Sequence, residues 1–218
     1  MINKRVPENP NLNVWTQSSY QGLPVNTAHE LVEQYLHKLK TVIDLSTQDY
    51  RSVFAVIVQL HCVYPTQDLA DSNRVLGRFK DAIDSRIESY QKRSPRGGLT
   101  RDLCRVRMAW GREQSRSQVP HFHVVLLFNR ELFYHLGSFN SGKGSLFQII
   151  QGAWRSALNI PPERGSGLVQ VPSNPEYYLN HSDSYMQLPS FFRRASYLCK
   201  VDTKCFGQKL QSFGGSRK

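Results

Sequence analysis

The chain reads E-Q-S-R-S-Q-V-P-H-F-H from Glu113 to His123, and this stretch organises both the fold and the candidate site. Successive side chains of a β-strand point to opposite faces, so His121 and His123 share one face and Phe122 lies on the other. Apolar runs flank the stretch and predict two strands, and the polar segment between them predicts a turn. Such a hairpin would bring the Glu113 carboxylate beside both imidazoles. The apolar runs are residues 106–110 and 124–128.

Two imidazoles and one carboxylate form a ligand set for a divalent metal and leave coordination positions open for water or a phosphate oxygen. The set suits Mg²⁺, Mn²⁺ or Zn²⁺ in a Lewis-acid role. The alternative is that His121 and His123 are ordinary surface histidines of a strand. His61 lies in an earlier apolar run, either as a further ligand or site neighbour or as an ordinary strand histidine.

The charge balance favours a polyanionic partner. The 218 residues carry 28 Lys+Arg against 17 Asp+Glu, a net charge of +11, and the pI is about 9.7. Nucleic acid is the usual partner of such a surface, and a merely soluble basic protein is the alternative. No apolar run approaches the roughly 20 residues that span a bilayer, and residues 1–20 lack a signal-peptide core, so no membrane association is expected.

Cysteine usage indicates a reducing compartment. The four cysteines form neither a C-x-x-C pair nor zinc-finger spacing with histidines. We therefore expect a cytoplasmic protein without structural disulfides.

Hydrophobic periodicity predicts an α+β protein, an antiparallel sheet with packed helices. Residues 1–24 are predicted to be an irregular arm, residues 25–206 a single domain and residues 207–218 a flexible basic tail. The segment from Ser173 to Gln187 is polar, with no predicted strand. The predicted elements are a helix from Asn26 or Thr27, with a capping box from Thr27 to Glu30; a strand over Phe54–Tyr64; a helix over Asp68–Lys92; the hairpin; a helix over Leu146–Leu158; a strand over Leu168–Val171; and a last helix from about Leu188.

Two further motifs bear on nucleic-acid chemistry. Arg112 and Trp110 interleave a cation with an aromatic ring, which suits single-stranded DNA because arginine binds phosphates and rings stack on bases. Trp110 fits the core equally well. Residues 137–144 resemble a P-loop, but Gly144 stands where the Ser or Thr that holds magnesium is required, so nucleotide hydrolysis is not expected.

The last predicted helix places a tyrosine among cations. Arg193, Tyr197, Lys200 and Lys204 follow at steps of 4, 3 and 4, so they share one face if the helix continues that far. Neighbouring cations favour the phenolate, the nucleophilic form of tyrosine. A solvated basic helix face is the alternative.

Together, Glu113, His121-Phe122-His123, the apolar strand that follows and Tyr197-x-x-Lys200 resemble the HUH endonucleases. Residues 110–129 and 196–204 are most similar to the replication proteins of filamentous phages (inoviruses) and their prophage homologues. The resemblance implies an RRM-like, ferredoxin-like sheet, the HUH endonuclease fold. It also implies a site-specific single-strand DNA endonuclease and strand transferase that initiates rolling-circle replication.

The resemblance also implies residue roles. Glu113, His121 and His123 would hold Mg²⁺ or Mn²⁺, Tyr197 would attack the scissile phosphate to give a 5′-phosphotyrosine, and Lys200 would neutralise phosphate charge. The implied partners are single-stranded DNA at a replication origin and a host helicase and polymerase. The alternatives are a non-catalytic DNA-binding regulator, or a relaxase or transposase. Further candidates are Arg193 and Lys204 for DNA-backbone contact and Tyr177 or Tyr178 as a second nucleophile.

Overall fold

The computed structural model describes residues 4–63, 69–94, 103–114, 119–139, 144–161, 163–180, 187–204, 206 and 210–217. Within them the elements, in chain order, are β1 (Arg5–Val6), β2 (Asn9–Trp15), β3 (Ser19–Tyr20), β4 (Leu23–Pro24), β5 (Leu31–Val32), α1 (Glu33–Asp49), β6 (Ser52–His61), α2 (Leu69–Arg93), β7 (Arg107–Gln114), β8 (Pro120–Asn129), α3 (Leu146–Ala157), β9 (Val169–Gln170), β10 (Glu176–Asn180), α4 (Leu188–Ala195) and β11 (Phe213–Gly215).

The centre of the molecule is an antiparallel sheet in the order β10-β6-β8-β7-β11, with β9 also paired to β6. The predicted hairpin is confirmed, because β7 pairs with β8 along eight residue positions. Helices cover both faces of this sheet, so the α+β class with an antiparallel sheet is also confirmed.

Alternation along the strands divides the interior into two cores. On β8, Phe122, Val124 and Leu126 face the layer formed by α2 and α3. Val125 and Leu127 face the other layer, which contains α1 and α4. Because both faces are covered, β6 and β8 are apolar along most of their length, as expected for central strands.

The N-terminal segment differs from the prediction. The composition of residues 1–24 predicts an irregular arm, but β1 and β2 pair and β2 then pairs with β5. Val6, Val14 and Tyr20 are buried. The Asn- and Pro-rich composition conceals these strands, because only scattered residues face the interior. The helix expected from Asn26 or Thr27 starts later, at Glu33, since residues 31–32 extend to pair with β2.

Two other predicted irregular segments contain strands. The tail over residues 207–218 includes β11, which pairs with β7. The polar segment from Ser173 to Gln187 includes β10, which pairs with β6. Both strands lie at an edge of the sheet and are short, five and three residues, so they carry little of the alternating pattern by which a strand is predicted.

The remaining predictions concern the membrane, the cysteines and the P-loop-like segment. No helix in the described ranges combines the length and apolar character needed to cross a bilayer. Cys62, Cys104 and Cys199 are buried free thiols, whereas Cys205 lies outside the described residues. Half of the P-loop-like segment, residues 140–143, also lies outside them.

Candidate metal and nucleophile site

The register between β7 and β8 places the predicted metal ligands together. Glu113 pairs with His121, and Gly111 pairs with His123. The side chains of Glu113, His121 and His123 lie on the sheet face that carries α1 and α4. Glu113 Oε2 lies 3.5 Å from His123 Nε2 and 3.7 Å from His121 Nε2. The hairpin therefore brings these three residues together as predicted.

The donor set fits a divalent metal. One ligand atom from each of Glu113, His121 and His123 lies within 4.8 Å of the others. Burial, reinforced by the charge of His123, lowers the pKa of His121 to about 4, so its imidazole is neutral at pH 7 and offers a lone pair. Glu113 Oε1 is buried without a hydrogen-bond partner. A cation ligated here would satisfy this oxygen.

Glu113 is also surrounded by polar groups from the C-terminal part of the chain. Its Oε2 accepts a hydrogen bond from Thr203 Oγ1 at 3.0 Å and lies 2.9 Å from Lys200 Nζ. Lys204 Nζ lies 3.9 Å from Oε1. Burial alone would raise the pKa of Glu113, but His123 and the two lysines outweigh it and lower the pKa to about 2. The carboxylate is therefore ionised at neutral pH.

Tyr197 reaches this site, although not as predicted. The α-helix ends at Ala195, and a 3₁₀ turn over Ser196–Cys199 carries the tyrosine. Lys200 Nζ donates a hydrogen bond to Tyr197 Oη, and the His123 and Tyr197 ring centroids are 5.1 Å apart. Lys200 thus contacts the carboxylate and the phenol together. Burial would lower the pKa of Lys200, but its hydrogen bonds to Tyr197 and Glu113 raise it, so it remains an ammonium.

The expectation that Arg193, Tyr197, Lys200 and Lys204 share one helix face is wrong. The chain becomes extended at Lys200, which forms an isolated bridge with Leu31. The two lysines converge on Glu113 because the chain turns after the 3₁₀ segment. Arg193 stays on α4 and is exposed.

A glycine allows the 3₁₀ turn that carries Tyr197 to approach the sheet. A Cβ atom at Gly111 would lie 2.6 Å from the Leu198 carbonyl oxygen and 2.7 Å from Lys204 Nζ. Any side chain here would push the 3₁₀ turn, and Tyr197 with it, away from β8. The residue opposite His123 must therefore be glycine for Tyr197 to lie where it does.

His61 borders the site. It pairs with His121 across β6 and β8, and their rings stack at a centroid distance of 5.4 Å. It is not part of the group whose ligand atoms lie within 4.8 Å of one another. Burial, followed by the charge of His123, lowers the pKa of His61. His61 is therefore a neighbour of the site, one of the roles that the sequence left open, and is not a member of the candidate ligand set.

Three of the four residues predicted to contact DNA have buried side chains, and for Trp110 this is the core alternative that the sequence left open. Arg112 and Trp110 are 1% and 7% exposed, on the sheet face opposite Glu113. Arg112 lies over the Phe122 ring at 5.4 Å, and Trp110 packs in the core. Strand alternation turns both away from the metal ligands, so direct DNA contact by either is not supported. The Lys204 side chain is fully buried beside Glu113 rather than on a helix surface.

Tyr177 and Tyr178 are far from the site. Tyr178 pairs with Phe54, seven positions along β6 from His61. At about 3.3 Å per residue this corresponds to roughly 23 Å. Tyr177 packs against Phe191 instead. The geometry does not favour either residue as a second nucleophile at this metal site.

Sequence reasoning missed three residues at the site. Thr203 and Asp202 follow Tyr197-x-x-Lys200 directly, and this proximity was the available signal. His29 falls within the helix predicted from Asn26 or Thr27, but it lies in the segment before β5, with its ring beside Tyr197 at a centroid distance of 5.3 Å. No local pattern indicates this contact, because it joins the two ends of the chain.

Comparison with known proteins gives a family but no activity. A family model described as the YagK/YfjJ C-terminal domain matches residues 16–216. The chain is 30% identical over 212 residues to the uncharacterized protein YagK of Escherichia coli (strain K12), which covers 91% of this chain and 98% of that protein. It is 30% identical over 197 residues to the uncharacterized protein YfjJ of the same strain, covering 85% and 95%. No solved structure matches the chain.

Proposed function

The chain belongs to the YagK/YfjJ C-terminal domain family, and on the geometry of its site we propose that it is a metal-dependent single-strand DNA endonuclease and strand transferase of the HUH type. Its reaction would nick a replication origin and initiate rolling-circle replication of a phage or another mobile element.

One observation carries this proposal. A tyrosine hydroxyl, an ammonium group and a two-histidine, one-carboxylate set converge, although they come from separate parts of the chain. Lys200 Nζ joins them, since it contacts both Tyr197 Oη and Glu113 Oε2. A solvated basic helix face would not bury Lys200 to 4% exposure against a carboxylate. This arrangement supports a phenol nucleophile directed at a metal-bound phosphate.

The strand order supports the HUH assignment. Apart from the two-residue strand β9, which lies between α3 and β10 and pairs with β6, the run from β6 to β10 is a β-α-β-β-α-β unit, and its strands lie in the order β10-β6-β8-β7. This is the split β-α-β arrangement of ferredoxin-like folds. The two central strands, β6 and β8, carry His61 and the His-x-His motif. This position of the candidate residues on the two central strands supports the proposal.

In the proposed reaction Tyr197 Oη attacks phosphorus in line with the 3′ oxygen. A P–O bond to tyrosine forms as the P–O3′ bond breaks, which leaves a 5′-phosphotyrosine and a 3′-hydroxyl. The phenol proton passes to water, and the leaving 3′ oxygen takes a proton from water. A bound Mg²⁺ or Mn²⁺ would polarise the phosphate and offset its developing charge.

The surrounding residues hold the reactants. Glu113, His121 and His123 would bind the metal, and Lys200 would keep the phenol oriented and neutralise phosphate charge. Arg193, which is exposed on α4, is the candidate for contact with the DNA backbone. Because one phosphodiester replaces another, the step is reversible and permits religation. The proposed partners are origin single-stranded DNA and a host helicase and polymerase, in the cytoplasm.

The test is a denaturing gel of the protein incubated with circular single-stranded phage-type DNA and with a broad pool of oligonucleotides. We expect a covalent protein–DNA adduct with Mn²⁺ or Mg²⁺ that is abolished by EDTA. The adduct should disappear in Tyr197→Phe and fall at least ~100-fold in His121→Ala. Tyr177→Phe, at a site remote from the ligands, serves as the matched control and should keep the wild-type yield.

Tight binding without an adduct, unchanged by metal and by Tyr197→Phe, would contradict the proposal and favour the non-catalytic DNA-binding regulator. An adduct that forms equally in Tyr197→Phe would assign the nucleophile to another residue. A relaxase or a transposase would form the same covalent tyrosine–DNA adduct in its first step, so the adduct alone does not distinguish these classes. Joining of two separate origin fragments, rather than closure of one circle, would favour those classes.

A further inference from the structure

The ring of Tyr197 is contacted by side chains from three parts of the chain. Lys200 Nζ lies 4.1 Å from the ring centroid, and the His123 ring meets it at 5.1 Å and 69°. The third contact comes from the N-terminal part, where the His29 ring meets Tyr197 at 5.3 Å and 79°. The proposed reaction gives roles to Lys200 and His123. It leaves His29 without one.

His29 is itself held in place by an acidic residue. Its Nδ1 lies 2.9 Å from Asp202 Oδ2. A carboxylate at one imidazole nitrogen fixes the orientation of the ring, as it does for histidines in catalytic sites. Asp202 follows the nucleophile segment closely, so it links His29 back to the part of the chain that carries Tyr197.

Two hydrogen bonds hold the residues on either side of His29 against the same region. Asn26 N donates to Ser196 Oγ at 2.8 Å, directly beside Tyr197. Val201 N donates to Glu30 O at 2.8 Å. These contacts lie on both sides of His29 in the sequence. The position of its ring relative to Tyr197 is therefore determined by the fold and not by a free loop.

We propose that His29, oriented by Asp202, is a positioning residue that keeps the Tyr197 phenol aligned with the scissile phosphate. This inference rests on the proposed function. Tyr197 lies on a four-residue 3₁₀ turn, and its phenol can rotate about two side-chain bonds. In-line attack requires close alignment, and a displacement of about 1 Å costs on the order of 100-fold in rate. The His29 ring restricts that rotation, while bond making and breaking remain with Tyr197 and the phosphate.

The experiment measures single-turnover adduct formation at saturating oligonucleotide, together with oligonucleotide affinity by fluorescence anisotropy. We expect His29→Ala to slow adduct formation by about 10- to 100-fold, with a dissociation constant within about twofold of wild type. Asp202→Asn should slow adduct formation less than His29→Ala does. Because both residues act along one path, the double variant should be no slower than His29→Ala. His135→Ala, an exposed histidine on the β8–α3 connection, should match wild type.

Two outcomes would overturn the inference while leaving the nicking activity intact. One is a wild-type adduct rate in His29→Ala. The other is a rate loss fully explained by weaker oligonucleotide binding or by a lowered unfolding midpoint, which would make His29 a binding or stability residue.

A readout independent of activity covers the case in which the wild-type protein forms no adduct and the proposed function fails. The ring signals of ¹³C-labelled tyrosine report ring flipping, and Tyr197 is assigned by the signal lost in Tyr197→Phe. A ring held by His29 should flip more slowly in wild type than in His29→Ala. Equal flipping in the two proteins would overturn the positioning role.

Discussion

At the scale of single residues, one carboxylate oxygen organises the site. Glu113 Oε2 lies within 3.7 Å of both imidazoles, within 3.0 Å of Thr203 and 2.9 Å from Lys200. Glu113 is 3% exposed, so this negative charge is stable only because cations surround it. An arriving metal adds another positive charge close to Lys200. In the proposed reaction, the ammonium would then shift its interaction towards the phosphate and the phenol.

Acid should destabilise the metal-free protein, and His121 should cause much of the loss. Its pKa is about 4 in the folded protein, against an ordinary value of 6.5 for histidine. As pH falls from 6.5 to 4 the unfolded chain binds a proton that the folded protein does not, so stability falls, by roughly 2–3 kcal/mol in total. Below about pH 4.5, protonation of Glu113 should continue the fall, since its folded pKa is about 2. Urea denaturation in EDTA at pH 7.5, 5.5 and 4.5 measures the loss of stability that is assigned to His121.

His121→Gln should flatten the decline between pH 6.5 and 4, with His61 retaining part of it because burial also lowers its pKa. His135→Gln, at an exposed position, is the matched control and should keep the wild-type slope. Equal slopes in wild type and His121→Gln would exclude His121 as the source.

At the scale of elements, the position of Tyr197, the proposed nucleophile, depends on how closely the 3₁₀ turn and β7 approach each other. The 3₁₀ turn over Ser196–Cys199 packs directly on β7, where Gly111 provides the space. Leu198 and Cys199 on the turn are buried in the core on the α1 and α4 side, and this packing ends the helix and directs Tyr197 toward β8. Helical periodicity extended to Lys204 could not show this, since packing of the turn overrides the continued helical pattern.

Gly111→Ala should impair both stability and adduct formation. Its Cβ would lie 2.6 Å from the Leu198 carbonyl oxygen, so the turn must move. We expect a loss of about 1–3 kcal/mol in unfolding free energy, as for other overpacked sites, and a fall of at least ~10-fold in adduct rate. Urea denaturation and single-turnover gels measure the two effects.

Gly77→Ala provides the matched glycine control. Gly77 lies within α2, and a Cβ atom added there would meet no other atom within 4 Å. Alanine there should raise stability by about 0.5–1 kcal/mol and leave the adduct rate unchanged. A Gly111→Ala protein with the wild-type adduct rate would show that the turn can shift without moving Tyr197.

At the scale of the whole molecule, the N-terminal strands belong to the fold and contribute to the site. β2 pairs with both β1 and β5, and the segment after β4 carries His29 to Tyr197. The C-terminal end contributes in the same way, because β11 covers the edge of β7, the strand that carries Glu113. Both ends of the chain therefore support the same small region of the sheet.

Deletion of residues 1–24 should destabilise the whole protein. It removes buried Val6, Val14 and Tyr20 and leaves β5 unpaired. At about 1.5–3 kcal/mol for each buried side chain we expect a loss of roughly 5 kcal/mol or more. Urea unfolding followed by circular dichroism measures it. Glu8→Ala, an exposed change in the same segment, should alter stability by less than about 0.5 kcal/mol. A truncated protein with the wild-type midpoint would contradict the contribution of residues 1–24 to the stability of the fold.

Local patterns along the chain were sufficient to predict the central strands, the helices α2 and α3, the α+β class and the grouping of Glu113, His121 and His123. These features follow from local periodicity, since alternation on β7 and β8 places the ligands on one face wherever the strands pair. The edge strands β10 and β11, the N-terminal strands, the end of the last helix and the contact between His29 and Tyr197 could be seen only in the folded protein. The edge strands are too short to show a clear alternating pattern, and contacts between distant segments depend on how the layers pack. The burial of Arg112 and Trp110 has the same origin, because the helices α2 and α3 cover the face on which they lie.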